Sequence, residues 1–360
     1  MNSSAIYALI SAVLVAFSLS ISPEEPTQNK CFIEDKETVE YVGGDGKVVL
    51  RGHWHYLTNE EETKNAKAYG PVIIMAHGFG LTQTQGLEKY IVAFQNAGMN
   101  VFTFDYATFG QSDGMPRHQV CPKSHIADLR ATIEMIQTSS YAVDNTRIGL
   151  WGTSLGGGHV LQAASDTSMR LNPSIKAIVS QVPHLTIGLE SVILPSLIQS
   201  PRDALKGLVF FALGLIKSIS YTIFMKKPGY FPLVSLPGSA GMMQNPGDYE
   251  GYLRLVEADL NIQNNGWTNA ATIVSGLKIV LQYAPLRTVD SVTAPTLFIT
   301  TEHDTLCPAK FVKQAHMKLS NSEYYEVQGV GHFDIYGGEE FKLVLEKEIL
   351  FFQKKLGVLS

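Results

Sequence analysis

The sequence predicts an α/β protein with a mostly parallel central sheet, helices on both faces of that sheet, and an inserted cap that is mainly helical. Apolar runs of strand length alternate with stretches of helical length, as expected of a parallel sheet wrapped by crossover helices. The alternation stops after Ser180 and resumes at Pro295. A crossover needs roughly a dozen residues or more, so a gap of about a hundred residues indicates an insertion.

The first half of the chain supplies most of the predicted sheet. Segments 39–42 and 48–56 flank Gly43-Gly44-Asp45-Gly46, a turn sequence that predicts a hairpin of edge strands. The run 71–76 is apolar at nearly every position, as expected where both faces of a parallel sheet are covered. The elements predicted after it are helix 87–97, strand 101–106, helix 126–137, strand 147–151 and strand 175–180.

The insertion predicts a cap over residues 183–290, between the two parts of a catalytic domain at 38–182 and 291–357. Such a cap closes over a site and shapes its pocket. Its helical stretches are predicted at 185–198, 204–225, 249–262 and 267–281, with a Pro- and Gly-rich stretch at 228–247.

One cap stretch, 204–225, is apolar enough to raise the question of a membrane. Lys206 and Lys217 interrupt it, and the uncharged run between them is shorter than the roughly 20 residues that span a bilayer. The pattern therefore favours a buried or pocket-lining helix, and contact with a membrane surface is the alternative.

The most informative motif lies where strand 147–151 ends, at Gly152-Thr153-Ser154-Leu155-Gly156. This spacing is typical of a nucleophile elbow, in which a strand delivers the serine to a tight, strained turn and the glycines let neighbouring elements pass closely. The serine oxygen is then accessible above the sheet to a base and to a substrate carbonyl. We predict Ser154 as the catalytic nucleophile, and an ordinary strand-to-helix turn is the alternative.

A serine hydroxyl is a poor nucleophile at neutral pH, so the elbow requires a histidine and a carboxylate farther along the chain. In one known chain order the acid follows the serine and the histidine comes last. Asp304 follows the strand-like run 295–301 and is the predicted acid, with Glu302 as its competitor. His332, in a glycine-flanked loop after strand 323–327, is the predicted base.

Strand 71–76 ends in His77-Gly78-Phe79-Gly80. A loop of this kind can turn a backbone N–H towards the nucleophile, and the residue after the serine supplies a second donor. We predict the N–H groups of Phe79 and Leu155 as the oxyanion hole, where loss of one donor typically costs about 2.7–4 kcal/mol of barrier. His77 is expected to brace the loop.

Taken together, these motifs resemble the α/β-hydrolase superfamily, and within it a subgroup related to dienelactone-hydrolase-like and X-Pro-dipeptidyl-peptidase-like hydrolases that includes fungal polyketide transferases. The matching pieces are 77–80, 104–106, 109–114, 152–157, 302–304 and 331–336. The resemblance implies the fold, a Ser154-His332-Asp304 triad and the oxyanion loop. We predict hydrolysis of a carboxylic ester or thioester without metal or organic cofactor, with acyl transfer and peptide cleavage as alternatives.

The N-terminal segment predicts a targeting sequence rather than part of the fold. Residues 5–21 are apolar or small, carry no charge and end in Ser18-Leu19-Ser20, a small-x-small pattern that a signal peptidase can cut. We predict a signal peptide at 1–20 and a protein that is secreted or held in the secretory pathway. The alternative is an uncleaved anchor, since about 17 residues is the lower limit for spanning.

The charge balance excludes one class of partner. The chain has 28 Lys and Arg against 33 Asp and Glu, a formal net charge of −5, and contains no basic tract. Nucleic acid is therefore excluded as an expected partner. A small-molecule acyl substrate is expected instead, with membrane contact only through the N-terminal segment or the cap.

Cysteines and the remaining histidines carry weaker signals. Cys31, Cys121 and Cys307 permit at most one disulfide; Cys31 and Cys121 are the candidate pair, and Cys307 is expected to be a small buried residue. His53 and His55 lie on one face of a strand, but two imidazoles do not make a metal site, so ordinary packing is favoured. The further candidates to line the pocket are His118 and His184.

Overall fold

The structure is a computed structural model of the chain, and it describes residues 38–57, 69–166, 172–257 and 267–358. The predicted signal peptide at 1–20 and Cys31, with its candidate disulfide, lie outside these residues and stay predictions. The strands are β1 (Thr38–Val42), β2 (Val49–His55), β3 (Pro71–Ala76), β4 (Asn100–Asp105), β5 (Asp144–Thr153), β6 (Ile175–Gln181), β7 (Tyr230–Phe231), β8 (Ala271–Thr272), β9 (Thr296–Thr301) and β10 (Ser322–Val327).

The α-helices of the described ranges alternate with the parallel strands of the main sheet, except between β6 and β9, where four helices lie in the predicted insertion. They are α1 (Glu88–Asn96), α2 (Pro122–Thr138), α3 (Leu155–Ser165), α4 (Leu194–Gln199), α5 (Pro201–Ser220), α6 (Asp248–Glu257), α7 (Ile273–Gln282), α8 (Ala309–Lys318) and α9 (Gly338–Leu356). Helix α2 begins four residues before the predicted start because Pro122 occupies its first turn, where the missing N–H leaves no hydrogen bond unmade.

Eight strands form one sheet in the order β1-β2-β4-β3-β5-β6-β9-β10. The pairs β1–β2 and β2–β4 are antiparallel and the others are parallel. This confirms the predicted mostly parallel sheet and the hairpin. The prediction that both hairpin strands are edge strands is wrong for β2, because residues 51–55 also pair with 101–105 of β4.

The sheet is buried on both faces, which explains the nearly unbroken apolar runs of its central strands. In β3, Val72 and Ile74 belong to one hydrophobic cluster with α2, α3 and α8. Ile73 and Met75 belong to a second cluster with α1 and α9. Because side chains alternate along a strand, every second residue of β3 serves one layer of helices.

The insertion contains helices α4 to α7, and we refer to residues 183–290 as the cap and to 38–182 with 291–357 as the body. π-Helical turns at Leu189–Ile193 and Tyr221–Met225 adjoin α4 and α5. The predicted helix 267–281 is wrong at its start, because Ala271–Thr272 pair with Tyr230–Phe231 and the helix begins at Ile273. Two residues are too few for a periodic signal, so sequence patterns cannot indicate this strand pair.

Candidate active site

Ser154 lies at the turn between β5 and α3 with φ 55° and ψ −119°. A non-glycine residue with positive φ is strained by about 1–3 kcal/mol and requires support from its surroundings. Its N–H donates to the Gln181 carbonyl at 2.9 Å, and its carbonyl accepts from the His184 N–H at 3.0 Å. These backbone bonds to β6 and the segment after it hold the strained turn.

The glycines of the elbow are required by close approaches. A Cβ at Gly152 would lie 2.3 Å from the Gly156 carbonyl oxygen, and a Cβ at Gly156 would lie 2.2 Å from that of Ala76. Helix α3 therefore starts directly against the ends of β3 and β5. This packing places Ser154 at the carboxyl edge of the sheet, next to the loop that follows β3.

The structure brings the predicted base and acid to this serine. His332 Nε2 lies 3.2 Å from Ser154 Oγ, and His332 Nδ1 lies 2.7 Å from Asp304 Oδ2. The second oxygen, Asp304 Oδ1, accepts from the N–H groups of Leu306 at 2.9 Å and Cys307 at 2.6 Å. Both oxygens of this buried carboxylate are thus satisfied, which fixes the carboxylate beside the imidazole ring.

Glu302, the competing acid, bonds a backbone group and not the His332 ring. Glu302 is 42% exposed, and its Oε2 accepts from the Gly329 N–H at 2.9 Å. The side chain thus binds the loop before His332 from outside, while Asp304 lies buried behind the ring.

The two predicted oxyanion donors belong to segments that lie next to Ser154. Leu155 is the first residue of α3, where backbone N–H groups have no partner within the helix. The loop of Phe79 is also close, because a Cβ at Gly78 would lie 3.4 Å from Ser154 Cβ. His77 is buried in this loop, and Nδ1 of its ring donates to the Gly78 carbonyl at 3.2 Å.

Cap residues hold the outer side of the same loop, a feature that the sequence did not predict. Tyr252 Oη donates to the Phe79 carbonyl at 2.9 Å, and Trp267 Nε1 donates to the Gly80 carbonyl at 3.0 Å. Gly80 has φ +70°, and a Cβ there would lie 2.5 Å from Leu233. No local motif marks Tyr252 or Trp267, since their role depends on contacts across more than a hundred residues of chain.

A cavity of about 190 Å³ leads from the candidate nucleophile into the cap. For comparison, a buried cavity of about 150 Å³ can hold benzene. The wall of the cavity beside Ser154 is mainly apolar and includes Phe79, Val192, Ile193, Leu208, Phe211, Met242, Met243, Ile279 and Val280. The cavity therefore suits a small apolar group beside Ser154.

Of the two histidines predicted to line the pocket, His184 borders this cavity and His118 does not. Burial, together with the nearby His332, lowers the pKa of His184 to about 4, so this lining imidazole is neutral at pH 7. Cys307 also lines the cavity, and burial raises the pKa of its thiol well above the ordinary value. His118 is not in the lining; its Nδ1 donates to the Ala270 carbonyl at 3.0 Å.

The paired histidines of β2 have polar partners within the body. His53 Nε2 lies 2.8 Å from Gln111 Oε1, and His55 Nε2 lies 3.1 Å from Thr103 Oγ1. Among the described residues, the cluster with ligand-like spacing is Asp304, Cys307 and His332. In that cluster Asp304 and His332 are bonded to each other, as described above.

The parallel sheet, the strained serine after β5 and the late loop that carries His332 together define a class of enzyme fold. The chain belongs to the alpha/beta hydrolase fold family, whose model matches residues 71–339. The predicted fold and family resemblance are thereby confirmed, and the family indicates an enzyme.

Individual proteins that are similar to this chain carry more specific names than the family does. The chain is 32% identical over 284 residues to the quorum-quenching protein AidA of Acinetobacter baumannii, covering 79% of this chain and 86% of that protein. It is 26% identical over 326 residues to the polyketide transferase af380 of Aspergillus fumigatus, covering 89% and 99%. A solved complex of DcsB with its substrate analogue shares the fold at TM-score 0.70 and 24% identity, over 90% of this chain and 100% of that one.

Proposed function

We propose that the protein is a serine hydrolase that cleaves a carboxylic ester or thioester through an acyl-enzyme. One observation carries this proposal: the His332 ring lies between Ser154 Oγ at 3.2 Å and Asp304 Oδ2 at 2.7 Å. In this arrangement His332 can take the proton of Ser154 while Asp304 orients the ring and stabilises its charged form, which is what a serine nucleophile needs.

In the first half of the reaction, Ser154 Oγ attacks the substrate's acyl carbon while its proton passes to His332 Nε2. Asp304 keeps the other ring proton on Nδ1 and stabilises the imidazolium that forms. The negative charge on the former carbonyl oxygen is bound by the N–H groups of Phe79 and Leu155. The bond to the alcohol or thiol then breaks, and the leaving group takes the proton from His332.

In the second half, water attacks the acyl carbon and gives a proton to His332. Collapse of this intermediate breaks the bond to Ser154 Oγ, which regains its proton from His332, and the carboxylic acid leaves. The apolar cavity beside Ser154 and Leu155 holds the acyl group through both halves. Its volume favours short and medium acyl groups over long ones.

Acyl transfer is the second candidate, and the similarity to a protein named a polyketide transferase favours it. The acyl-enzyme is the same in this case. An acceptor alcohol, amine or carbon nucleophile replaces water in the second half.

A panel of esters and thioesters with increasing acyl length tests both candidates. We expect turnover to peak at short or medium acyl groups, and expect Ser154→Ala to reduce it by about 10⁶-fold. Labelling of Ser154 by a fluorophosphonate, with Ser112→Ala as a control that keeps the label, checks the nucleophile. Full turnover by Ser154→Ala would contradict the proposal.

Competing acceptors added to the same panel distinguish hydrolysis from transfer. If free acid dominates at high acceptor concentration, the protein is a hydrolase. If the acyl group is found on the acceptor, the second candidate holds.

A further inference from the structure

Helix α5 has two apolar faces. Its inner face lines the cavity through Ala204, Gly207, Leu208 and Phe211. On a different face of the helix Leu205, Val209, Ile216 and Ile219 are exposed, by 59%, 44%, 63% and 52% respectively. Their spacing of four, seven and three residues places them in one stripe along the helix, and an amphipathic surface helix would have polar residues there.

Further apolar residues are exposed in the segments that precede and follow α5. We call the outer cap face the set of exposed apolar residues Leu194, Ile198, Leu205, Val209, Ile216, Ile219, Ile223, Phe224 and Met225. Ile198 is 82% exposed at one end and Phe224 is 83% exposed at the other. The segment Pro201–Met225 is long and apolar enough to cross a membrane by length and composition, and 11% of its most apolar window is buried. Many large apolar side chains exposed on one short segment are a mark of interaction sites.

The inner face of α5 is already committed to the cap. A Cβ at Gly276 of α7 would lie 3.0 Å from the Phe211 ring, and the Gly229 N–H donates to Ser218 Oγ at 3.1 Å. Crossing a bilayer would break these contacts and bury Lys206 and Lys217 in hydrocarbon. The segment can therefore contact a membrane surface only through its exposed side, with the helix lying along that surface.

Charge identifies the kind of surface. Arg202, Lys206, Lys217, Lys226 and Lys227 lie on the same segment or next to it, against the single acid Asp203, in a chain of net charge −5. A second copy of the chain meeting this face through a two-fold axis would oppose these positive charges to one another. An anionic lipid surface would attract them while taking up the apolar stripe.

We propose that the outer cap face docks on an anionic lipid surface, with α5 lying parallel to that surface. The lipid then lies within about one helix diameter, 10–12 Å, of the acyl cavity. An apolar acyl substrate dissolved in the lipid would have a short path to Ser154. Docking itself rests on the exposed residues and charges, and it stands independently of the chemistry proposed for the site.

The test uses the full chain with a tryptophan reporter, Phe224→Trp. Vesicles contain phosphatidylcholine with or without phosphatidylglycerol, and brominated phosphatidylcholine serves as the quencher. We expect the reporter emission, after subtraction of the unmodified chain, to shift to the blue and to be quenched on anionic vesicles. Because the reporter is local, binding through residues 5–21 alone would leave it unquenched.

Two further variants in the reporter background make the test specific. Ile216→Glu with Ile219→Glu should lower the apparent affinity for anionic vesicles by more than about tenfold, since both side chains would have to carry charge into the lipid. Met317→Glu and Leu343→Glu, at exposed apolar residues of the body, should leave it unchanged. If the double variant loses its native circular dichroism, Ile198→Glu replaces it.

Three outcomes would overturn the proposal. In the first, the reporter would stay unquenched although the protein sediments with vesicles. In the second, the glutamate variants would be quenched as strongly as the unmodified reporter. In the third, the emission would shift with protein concentration alone. The last result would assign the face to a second copy of the chain.

Discussion

The central strands of the body and helix α5 of the cap are packed in opposite ways. Every residue of β3, β4 and β9 is buried, and two hydrophobic clusters cover the two faces of the sheet. In α5, by contrast, the buried residues are Gly207, Gly214 and Ser218, which contribute almost no apolar side chain. The core of the body thus lies on the two faces of its own sheet, whereas α5 contributes little to a core. The buried clusters of the cap lie elsewhere, around Leu233, Tyr252 and Phe231.

Contacts between the cap and the body fall on the loops that carry the proposed chemistry. Tyr252 bonds the Phe79 carbonyl of the oxyanion loop. A Cβ at Gly251 would lie 2.5 Å from Phe333 Cβ, so α6 also packs closely against the residue after His332. The body thus contains the proposed reacting groups, and the cap helps to hold two of their loops in place.

The largest expected effect comes from a pair of variants that replace acidic residues of the body by neutral amides. Asp304→Asn should lower kcat by about 10⁴-fold, because the amide no longer holds the imidazole in the tautomer that accepts the serine proton. Glu302→Gln, two residues away and partly exposed, should stay close to the unmodified enzyme. Steady-state kinetics of ester hydrolysis measure kcat for both variants. A larger loss of kcat in Glu302→Gln than in Asp304→Asn would show that Glu302 is the acid.

A buried acid of the cap should make stability depend on pH. Burial, reinforced by Asp304 and Glu250, raises the pKa of Asp248 to about 7, although the Asn245 N–H and His332 favour its charged form. Unfolding lets this carboxyl ionise near pH 4, so its contribution makes the free energy of unfolding fall as pH rises from about 4 to about 7.

Asp248→Asn should remove that dependence and stabilise the protein at pH 8 by up to a few kcal/mol. Denaturant unfolding at several pH values, taken as the difference between variant and unmodified protein, separates this group from others that titrate in the same range. Asp290→Asn, at an exposed acid of the body–cap junction, is the control. Parallel pH curves for all three proteins would contradict the prediction.

The smallest effect is expected from a cap variant that alters the support of the proposed oxyanion loop. Tyr252→Phe removes the hydrogen bond to the Phe79 carbonyl, and one such bond is worth about 1 kcal/mol. We expect kcat to fall about fivefold with KM nearly unchanged, because the loss acts on the donor geometry of the transition state. Tyr249→Phe on the same helix is the matched control. A rise in KM with kcat unchanged would instead make Tyr252 a substrate contact.

The sequence predicted the body well for a physical reason. Ser154, Asp304 and His332 each follow a strand of a parallel sheet, and the carboxyl ends of such strands meet at one edge. A local motif at each strand end was therefore enough to predict that the three side chains lie together.

The cap was predicted less well because its determinants are not local. The pair β7–β8 joins residues about forty positions apart through two residues on each side. Periodicity also could not assign the faces of α5, since Phe211 and Ile216 are both apolar while the first lines the cavity and the second is exposed. Such assignments depend on what packs against the helix, which the sequence alone does not reveal.

The hydrogen bond between Tyr252 and the Phe79 carbonyl has a practical consequence for protein engineering. Exchanging caps between relatives to change substrate range would also exchange the side chains that fix residues 77–80. A chimaera that takes a foreign cap onto this body should therefore retain a tyrosine hydroxyl and an indole at the positions of Tyr252 and Trp267, or import the donor's own loop with its cap.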